Sequence, residues 1–302
     1  MPPTTVIHPA ATLFHVEDQG LRGPCAARNR GLRSARTPWV FLLDEDAEPA
    51  PDCLERLLAE AALHPDAAII SPRVLRGGEP LVIHYDGGRC HFLAEASFDN
   101  FHRPLSEARE CGRRPHVVAT TALLIRRDAA LDWGLFDEGM VFFREDLEFC
   151  LRARMLGARI RHCPEAIVRH RQGVRGPLHA RRVYYQARNR WRTMIKIYQP
   201  RTLVLTFPLQ AVFEAFSLCR SAMEGKIFEH ARAVADVALH LPELLRERRA
   251  LQARRRVADR DLLSAPPLTW RPGTLAVPGA AFASRVLGSA CAVWWSLIAG
   301  PA

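Results

Sequence analysis

The chain has 302 residues, 48% of them hydrophobic and 25% charged, ordinary values for a globular protein that exclude little, and its length leaves room for a substantial core. Its formal charge of +10 is carried almost wholly by arginine, the lysines being Lys196 and Lys226, and the basic excess lies after Arg144; this charge points to anionic partners, whether diphosphates, acidic lipid headgroups or nucleic acid. The eight cysteines form no Cys-x-x-Cys pair, so neither a structural zinc site nor a redox motif is signalled. Met1–Thr5 lacks the basic start and apolar core of a secretory signal, and the expected compartment is a reducing cytosol.

Residues 12–16 predict a short strand, and Pro24 at a first helical position predicts a helix through Ala35. The apolar run Trp39–Leu43 reads as a strand buried on both faces of a parallel sheet, ending at Asp44-Glu45-Asp46. Two carboxylates one residue apart, with Pro49 and Pro51 stiffening the next few residues, can offer oxygens to a hard divalent cation that also holds a diphosphate. An acidic strand end without a ligand is the alternative. Asp52 is expected to cap a helix whose Leu54, Leu57, Leu58 and Ala61 form one apolar face. Ala67–Ile70, Leu81–Tyr85 and Val117–Ile125 read as strands, the last containing Thr120 and Thr121, with turns at Gly77-Gly78 and Asp86-Gly87-Gly88. Residues 97–115 are polar and irregular.

From Phe142 onward, Leu147, Leu151 and Met155 recur at helical spacing while Glu145, Asp146 and Glu148 crowd the first turn. Carboxylates there are favoured by the helix dipole alone. Strands alternating with helices imply an α/β layered sheet. After Pro200 the character changes. Leu203–Leu218 is largely apolar, interrupted by Pro208 and Glu214, and 241–256 is amphipathic with a dense arginine face. The final run Val286–Gly300, with Trp294 and Trp295, reads as shorter than the roughly twenty apolar residues of a spanning helix. The C-terminal third is expected to lie on a membrane surface or to pack on the preceding domain.

The segments Ala27-Arg28-Asn29-Arg30-Gly31-Leu32, Leu42-Leu43-Asp44-Glu45-Asp46, Leu135-Phe136-Asp137-Glu138, Glu145-Asp146-Leu147-Glu148, Leu151-Arg152-Ala153-Arg154 with Gly157, and Val168-Arg169-His170 resemble, in order and spacing, the family 2 inverting glycosyltransferases of the nucleotide-diphospho-sugar transferase (GT-A) fold. The resemblance covers roughly residues 12–200. It implies a mixed-sheet catalytic domain over 1–200, incomplete at its N-terminus; the region 201–302 is expected from its own residues to be helical and membrane-associated. It also implies transfer of a sugar from a nucleotide-diphosphate donor to a hydroxyl of a glycan or lipid-linked acceptor in envelope synthesis, with a manganese or magnesium cofactor. By the family match Asp146 is the base and Glu145 its neighbour, Arg28, Asn29, Asp44 and Thr121 contact the donor, and Asp44, Asp46 and His170 hold the metal, the histidine coming after the second strand beyond the acidic helix. Gln186-Ala-Arg-Asn-Arg-Trp191 resembles the Gln-x-x-Arg-Trp element of processive synthases with one extra residue; Arg188 and Arg190 there are candidates for phosphate or lipid contact, or simply a basic helix.

Family members place a strand-helix-strand-helix nucleoside pocket ahead of the segment matched at Leu13. Its loss is expected to leave an open sheet edge and weak nucleotide-sugar binding, so a catalytically inactive homologue acting as a binding or scaffold protein is the alternative. No nucleic-acid partner is expected, since no binding motif accompanies the charge.

Overall fold

The structure, a computed structural model, describes residues 23–78, 80–171, 180–268 and 280–299; the strand expected over 12–16 lies outside them. Two compact units divide the chain. The first comprises residues 1–88, 98–138 and 158–175, the second 89–97, 139–157 and 176–302.

In the first unit, α1 (Pro24–Ser34) leads to β1 (Trp39–Leu43), β2 (Ala47–Pro49), α2 (Cys53–Leu63), β3 (Ala67–Arg76) and β4 (Val82–Tyr85). A two-stranded pair, β5 (Gly88–His91) with β6 (Glu95–Phe98), comes next and lies mostly in the second unit. The first unit resumes with β7 (Ala122–Arg126) and α3 (Arg127–Asp132). After α4 (Glu145–Met155), which belongs to the second unit, β8 (Arg159–His170) returns to the first. The larger sheet runs β1-β7-β3-β8-β2, with β4 also on β3. Among the described residues β3 and β8 are its one parallel pair; the other pairs are antiparallel. The architecture is therefore α/β with a mixed sheet, as the alternation of elements predicts.

The core lies where α2 meets the sheet. Cys53, Leu54, Leu57 and Ala61 on one helix face pack with Ile70, Val74, Leu124 and Val168, the 3.6-residue stripe meeting alternate residues of the strands. Several expectations are corrected here. β1 is antiparallel to β7 and stands at the end of the sheet among the described residues, with Leu42 its one fully buried side chain. A short apolar run cannot by itself tell a doubly covered strand from an edge strand whose large side chains are half covered; here Trp39, Phe41 and Leu43 rest against the core, and the Arg126 guanidinium lies 4.6 Å over the Trp39 ring. Asp52 occupies the N-cap of α2 without capping it, because Arg56 one turn later takes its carboxylate at 2.7 Å. Val117 forms only an isolated bridge with Gly88, so β7 starts at Ala122.

The second unit is helical after β8: α5 (Ala180–Ile197), α6 (Pro200–Met223), α7 (Ile227–Leu239), α8 (Leu241–Ala253), α9 (Asp259–Leu262) and α10 (Ala280–Ile298). α5 packs on α4, α7 and α8. The Trp294 indole donates to the Leu205 carbonyl at 2.8 Å, tying α10 to α6, and Trp295 stacks on Phe92. α10 begins six residues before Val286 and is 19 residues long, which corrects the expectation of a run too short to span. Both α6 and α10 are long and apolar enough to cross a membrane by length and composition. Val204, Phe207, Val212, Phe282, Val293 and Leu297 on them are exposed.

Candidate active site

The residues singled out in the sequence fall into two groups, one in each unit. In the first unit, β1 ends at Leu43, and Asp44 donates its backbone N–H to the Thr121 carbonyl at 2.9 Å. This places Asp44 and Thr121 side by side at neighbouring strand ends. The Arg28 guanidinium, from α1, meets Asp44 Oδ1 at 2.9 Å and lies 5.7 Å over the Phe136 ring. Its neighbour Asn29 is fully buried. The Asn29 amide donates to the Phe136 carbonyl (2.8 Å) and Glu138 (2.9 Å) and accepts from the Phe136 N–H (2.8 Å), so it clips α1 to the 135–138 segment and holds Arg28 in register with Asp44.

Asp46 lies two residues on, in the turn before β2. His170 stands at the end of β8, flanked by Ala47 of β2 and Arg76 of β3. Its Nε2 is 3.0 Å from Asp46 Oδ1, and its Nδ1 is 3.1 Å from His84 Nδ1. β8 is one continuous strand with a register shift at Pro72/Arg73 of its partner, so His170 ends the first strand after the acidic helix and not the second. The bulge accounts for the apparent break in the sequence pattern. Asp46 and His170 are thus brought together, while Asp44 is paired with Arg28. A nitrogen and a carboxylate oxygen 3.0 Å apart are placed as two neighbouring ligands of a divalent cation would be, and imidazole with carboxylate is a donor set that manganese accepts.

Among the described residues, the one set of potential ligands whose atoms all lie within 4.8 Å is different: Asp86, Cys111 and His162. Here Arg73 grips Asp86 through both oxygens at 2.7 and 2.9 Å, Asn100 adds a bond at 2.9 Å, and His162 Nε2 lies 3.3 Å away. The guanidinium supplies the positive charge a cation would bring. Burial alone would raise the Asp86 pKa; hydrogen bonds from His162, Arg73 and Asn100 outweigh it and bring the pKa down to about 2. This buried ion pair is invisible in the sequence, where Asp86 reads as a turn residue before two glycines. Gly87 has a packing reason, since a Cβ there would sit 2.8 Å from the Pro115 side chain.

In the second unit, Val141, Phe143 and Arg144 all adopt left-handed backbone angles (φ 61, 63 and 64°) immediately before α4. Such angles are unfavourable for residues with a Cβ, most of all β-branched valine, and persist only where surroundings impose them. Asn189 of α5 does so. Its side-chain nitrogen faces the carbonyls of Met140, Phe142 and Phe143, each at 2.8 Å. Arg144 is held by Glu95 at 2.6 Å, by the Gln186 carbonyl at 3.0 Å and by the Ala94 carbonyl. Glu145 and Asp146 open α4 half-buried, with Asp146 Oδ1 accepting the Leu147 N–H at 2.7 Å. The third carboxylate, Glu148, is fully buried against Arg152 at 2.8 and 2.9 Å, so the acidic cluster divides into a core ion pair and two carboxylates at the helix start.

Arg188 and Arg190 both pair within the second unit. Arg188 pairs with Asp236 at 2.5 Å and the Gly139 carbonyl at 2.7 Å. Arg190 is buried against Glu214 at 2.9 Å and Gln210 at 2.8 Å, and burial lowers its pKa to about 10.

Residues 12–133 match the model of glycosyl transferase family 2. The chain is similar to the pre-mycofactocin glycosyltransferases of two Mycobacterium tuberculosis strains, CDC 1551 and H37Rv, each 36% identical over 155 residues, covering 49% of this chain and 30% of the relative. The chain thus spans under a third of the length of the curated relatives it matches. Among solved structures, GalNAc-T7 with UDP, GalNAc and Mn2+ aligns with a TM-score of 0.47 at 16% identity over 74% of this chain and 44% of that one. The mannosyltransferase PcManGT of Pyrobaculum calidifontis, in complex with GDP-Man and Mn2+, aligns at 0.40 with 18% identity over 77% and 65%. The similarity to glycosyl transferase family 2 thus lies over residues 12–133.

Proposed function

We propose that this protein transfers a sugar from a nucleotide-diphosphate donor to an acceptor hydroxyl with inversion, residues 1–200 forming the catalytic domain and 201–302 its membrane-facing region. Asp46 and His170 would hold a divalent cation, manganese or magnesium, whose charge would offset that developing on the departing diphosphate. Arg28 presents its guanidinium to the phosphates, oriented by Asp44, whose backbone is fixed by Thr121 and whose partner helix is fixed by Asn29. Asp146 removes the acceptor proton as that oxygen bonds the anomeric carbon and the bond to the diphosphate breaks; a single displacement inverts the centre. Glu145 contacts the acceptor. The observation that carries this reading is the Asp46–His170 pair, set two residues after the Arg28–Asp44 pair at a strand terminus.

Calorimetry with UDP, GDP and dTDP tests it. Manganese is expected to strengthen binding of the cognate diphosphate, and Asp46→Ala to remove that increment with the circular dichroism unchanged. Equal binding with and without metal overturns the site.

The acceptor is a lipid-linked or envelope glycan at the inner face of the plasma membrane, a reading supported by the exposed apolar residues of α6 and α10. Sedimentation with anionic vesicles is expected to pull the protein down. Phe207→Asp with Val293→Asp is expected to weaken partition at least about tenfold, since a charge in an apolar membrane segment costs roughly 2.5–3.5 kcal/mol; unchanged partition contradicts it. The relatives' name supports a second acceptor, a mycofactocin precursor, which the same transfer assay distinguishes when both acceptors are offered.

A further inference from the structure

β4 carries one residue more than its partner can match: Val74 of β3 faces Tyr85 and Leu75 faces Ile83, leaving His84 in a β-bulge. Bulges bend a strand and re-aim a side chain, and they concentrate beside functional sites. Here the buried His84 ring lies against Tyr85 (centroids 3.9 Å apart) and stacks on His170 (5.2 Å, 20° between planes), bringing the two Nδ1 atoms to 3.1 Å.

A hydrogen bond between two Nδ1 atoms requires one of them to carry the proton and the other to offer its lone pair. The choice decides what His170 shows to Asp46. If His84 donates, a neutral His170 carries its proton on Nε2 and points it at Asp46. If His170 donates, its Nε2 lone pair and the Asp46 oxygen face each other 3.0 Å apart, an arrangement that suits a shared cation. Metal-binding histidines characteristically donate their other N–H to an outer partner that fixes tautomer and ring orientation.

We propose that His84 is a positioning residue for the cation site: its Nδ1 accepts the His170 Nδ1–H, holding His170 in the tautomer that offers Nε2 beside Asp46. This rests on the cation reading of Asp46 and His170. Neither ring changes charge when the tautomer is selected. The Nδ1 proton moves from His84 to His170, the His170 Nε2 proton leaves to solvent, and His84 Nε2 takes one from solvent.

Two variants separate this role from packing. His84→Phe keeps a ring against Tyr85 but removes the acceptor; His84→Asn places an amide oxygen near the position of Nδ1. Manganese affinity, read by electron paramagnetic resonance on the full chain without any donor, is expected to fall about 10- to 100-fold in His84→Phe and to be largely restored in His84→Asn. In 15N-histidine spectra of the wild-type protein with cadmium, assigned with His170→Gln, His170 is expected to carry its proton on Nδ1. Wild-type binding with an equally tight His84→Phe overturns the role of His84 alone. Equal loss in both variants, or a cadmium-bound His170 protonated on Nε2, also overturns it. A wild-type chain that binds no manganese overturns the cation reading itself.

Discussion

Asp146→Asn is expected to lower transfer by about 100- to 10,000-fold while leaving the fold and donor-diphosphate binding unchanged. Asparagine keeps the size and the acceptor oxygen for the Leu147 N–H, so the first turn of α4 survives, but the amide cannot take the acceptor proton. The expected kinetic signature is a fall in kcat with KM for the donor nearly constant, because a base acts on the acceptor only as its oxygen attacks. Glu145→Gln is the control on the same turn: it removes a charge of equal standing with the helix dipole. If transfer by Asp146→Asn stays within about tenfold of the parent, or if Glu145→Gln costs more, the base has been assigned to the wrong carboxylate.

The second large effect concerns stability. Asp86→Ala is expected to destabilise the first unit by about 3–5 kcal/mol, the cost of leaving a buried charge without its partner, here Arg73. Chemical denaturation measures it, and a loss under about 1 kcal/mol would show that Arg73 finds water or another acceptor. The same carboxylate sets an acid limit. Its pKa is about 2 in the folded chain against 3.8 as the ordinary value, so its contribution is fully present above about pH 4 and is lost as the pH falls towards 2. The difference corresponds to about 2 kcal/mol. An Asp86→Asn chain is expected to lose less stability than the wild type across that window. Identical acid transitions would contradict the assignment.

How far the sequence could be read differs from residue to residue for physical reasons. α1, α2 and α4 were visible because Pro24 marks a first turn, and because Leu54, Leu57 and Ala61, like Leu147 and Leu151, repeat at helical spacing. Strand identity was visible, but strand neighbours were not. Trp39–Leu43 is apolar enough for a central position, and only the long-range register with β7 places it at the end of the sheet among the described residues. Local chemistry misled at Asp52, where the capping residue is correct and Arg56 diverts its side chain.

At the candidate site, the pairing of Asp46 with His170 joins residues 124 positions apart, and motif order suggested it. His84 gave no signal, because a bulge is a mismatch between two strands and exists in neither alone. Asp86, Arg73 and His162 were equally silent, since each resembles an ordinary polar residue until the strands bring them into one buried place. Glu148 shows the converse: three carboxylates in one turn look alike in sequence, and burial against Arg152 separates one from the others.

The way Asn189 holds the loop before α4 has a consequence for which positions can drift. In that loop its amide nitrogen meets carbonyl oxygens, those of Met140, Phe142 and Phe143, and every amino acid supplies a carbonyl. The half-buried side chains of Val141, Phe142 and Phe143 are therefore not fixed by this contact and can diversify, for example to suit a different acceptor, whereas Met140 is held by its burial. The restriction falls instead on position 189, 46 to 49 residues downstream, where aspartate would set a carboxylate against three oxygens and alanine would leave them unmet. Glycine at 141, which adopts a positive φ without strain, is the change such a loop should accept most readily.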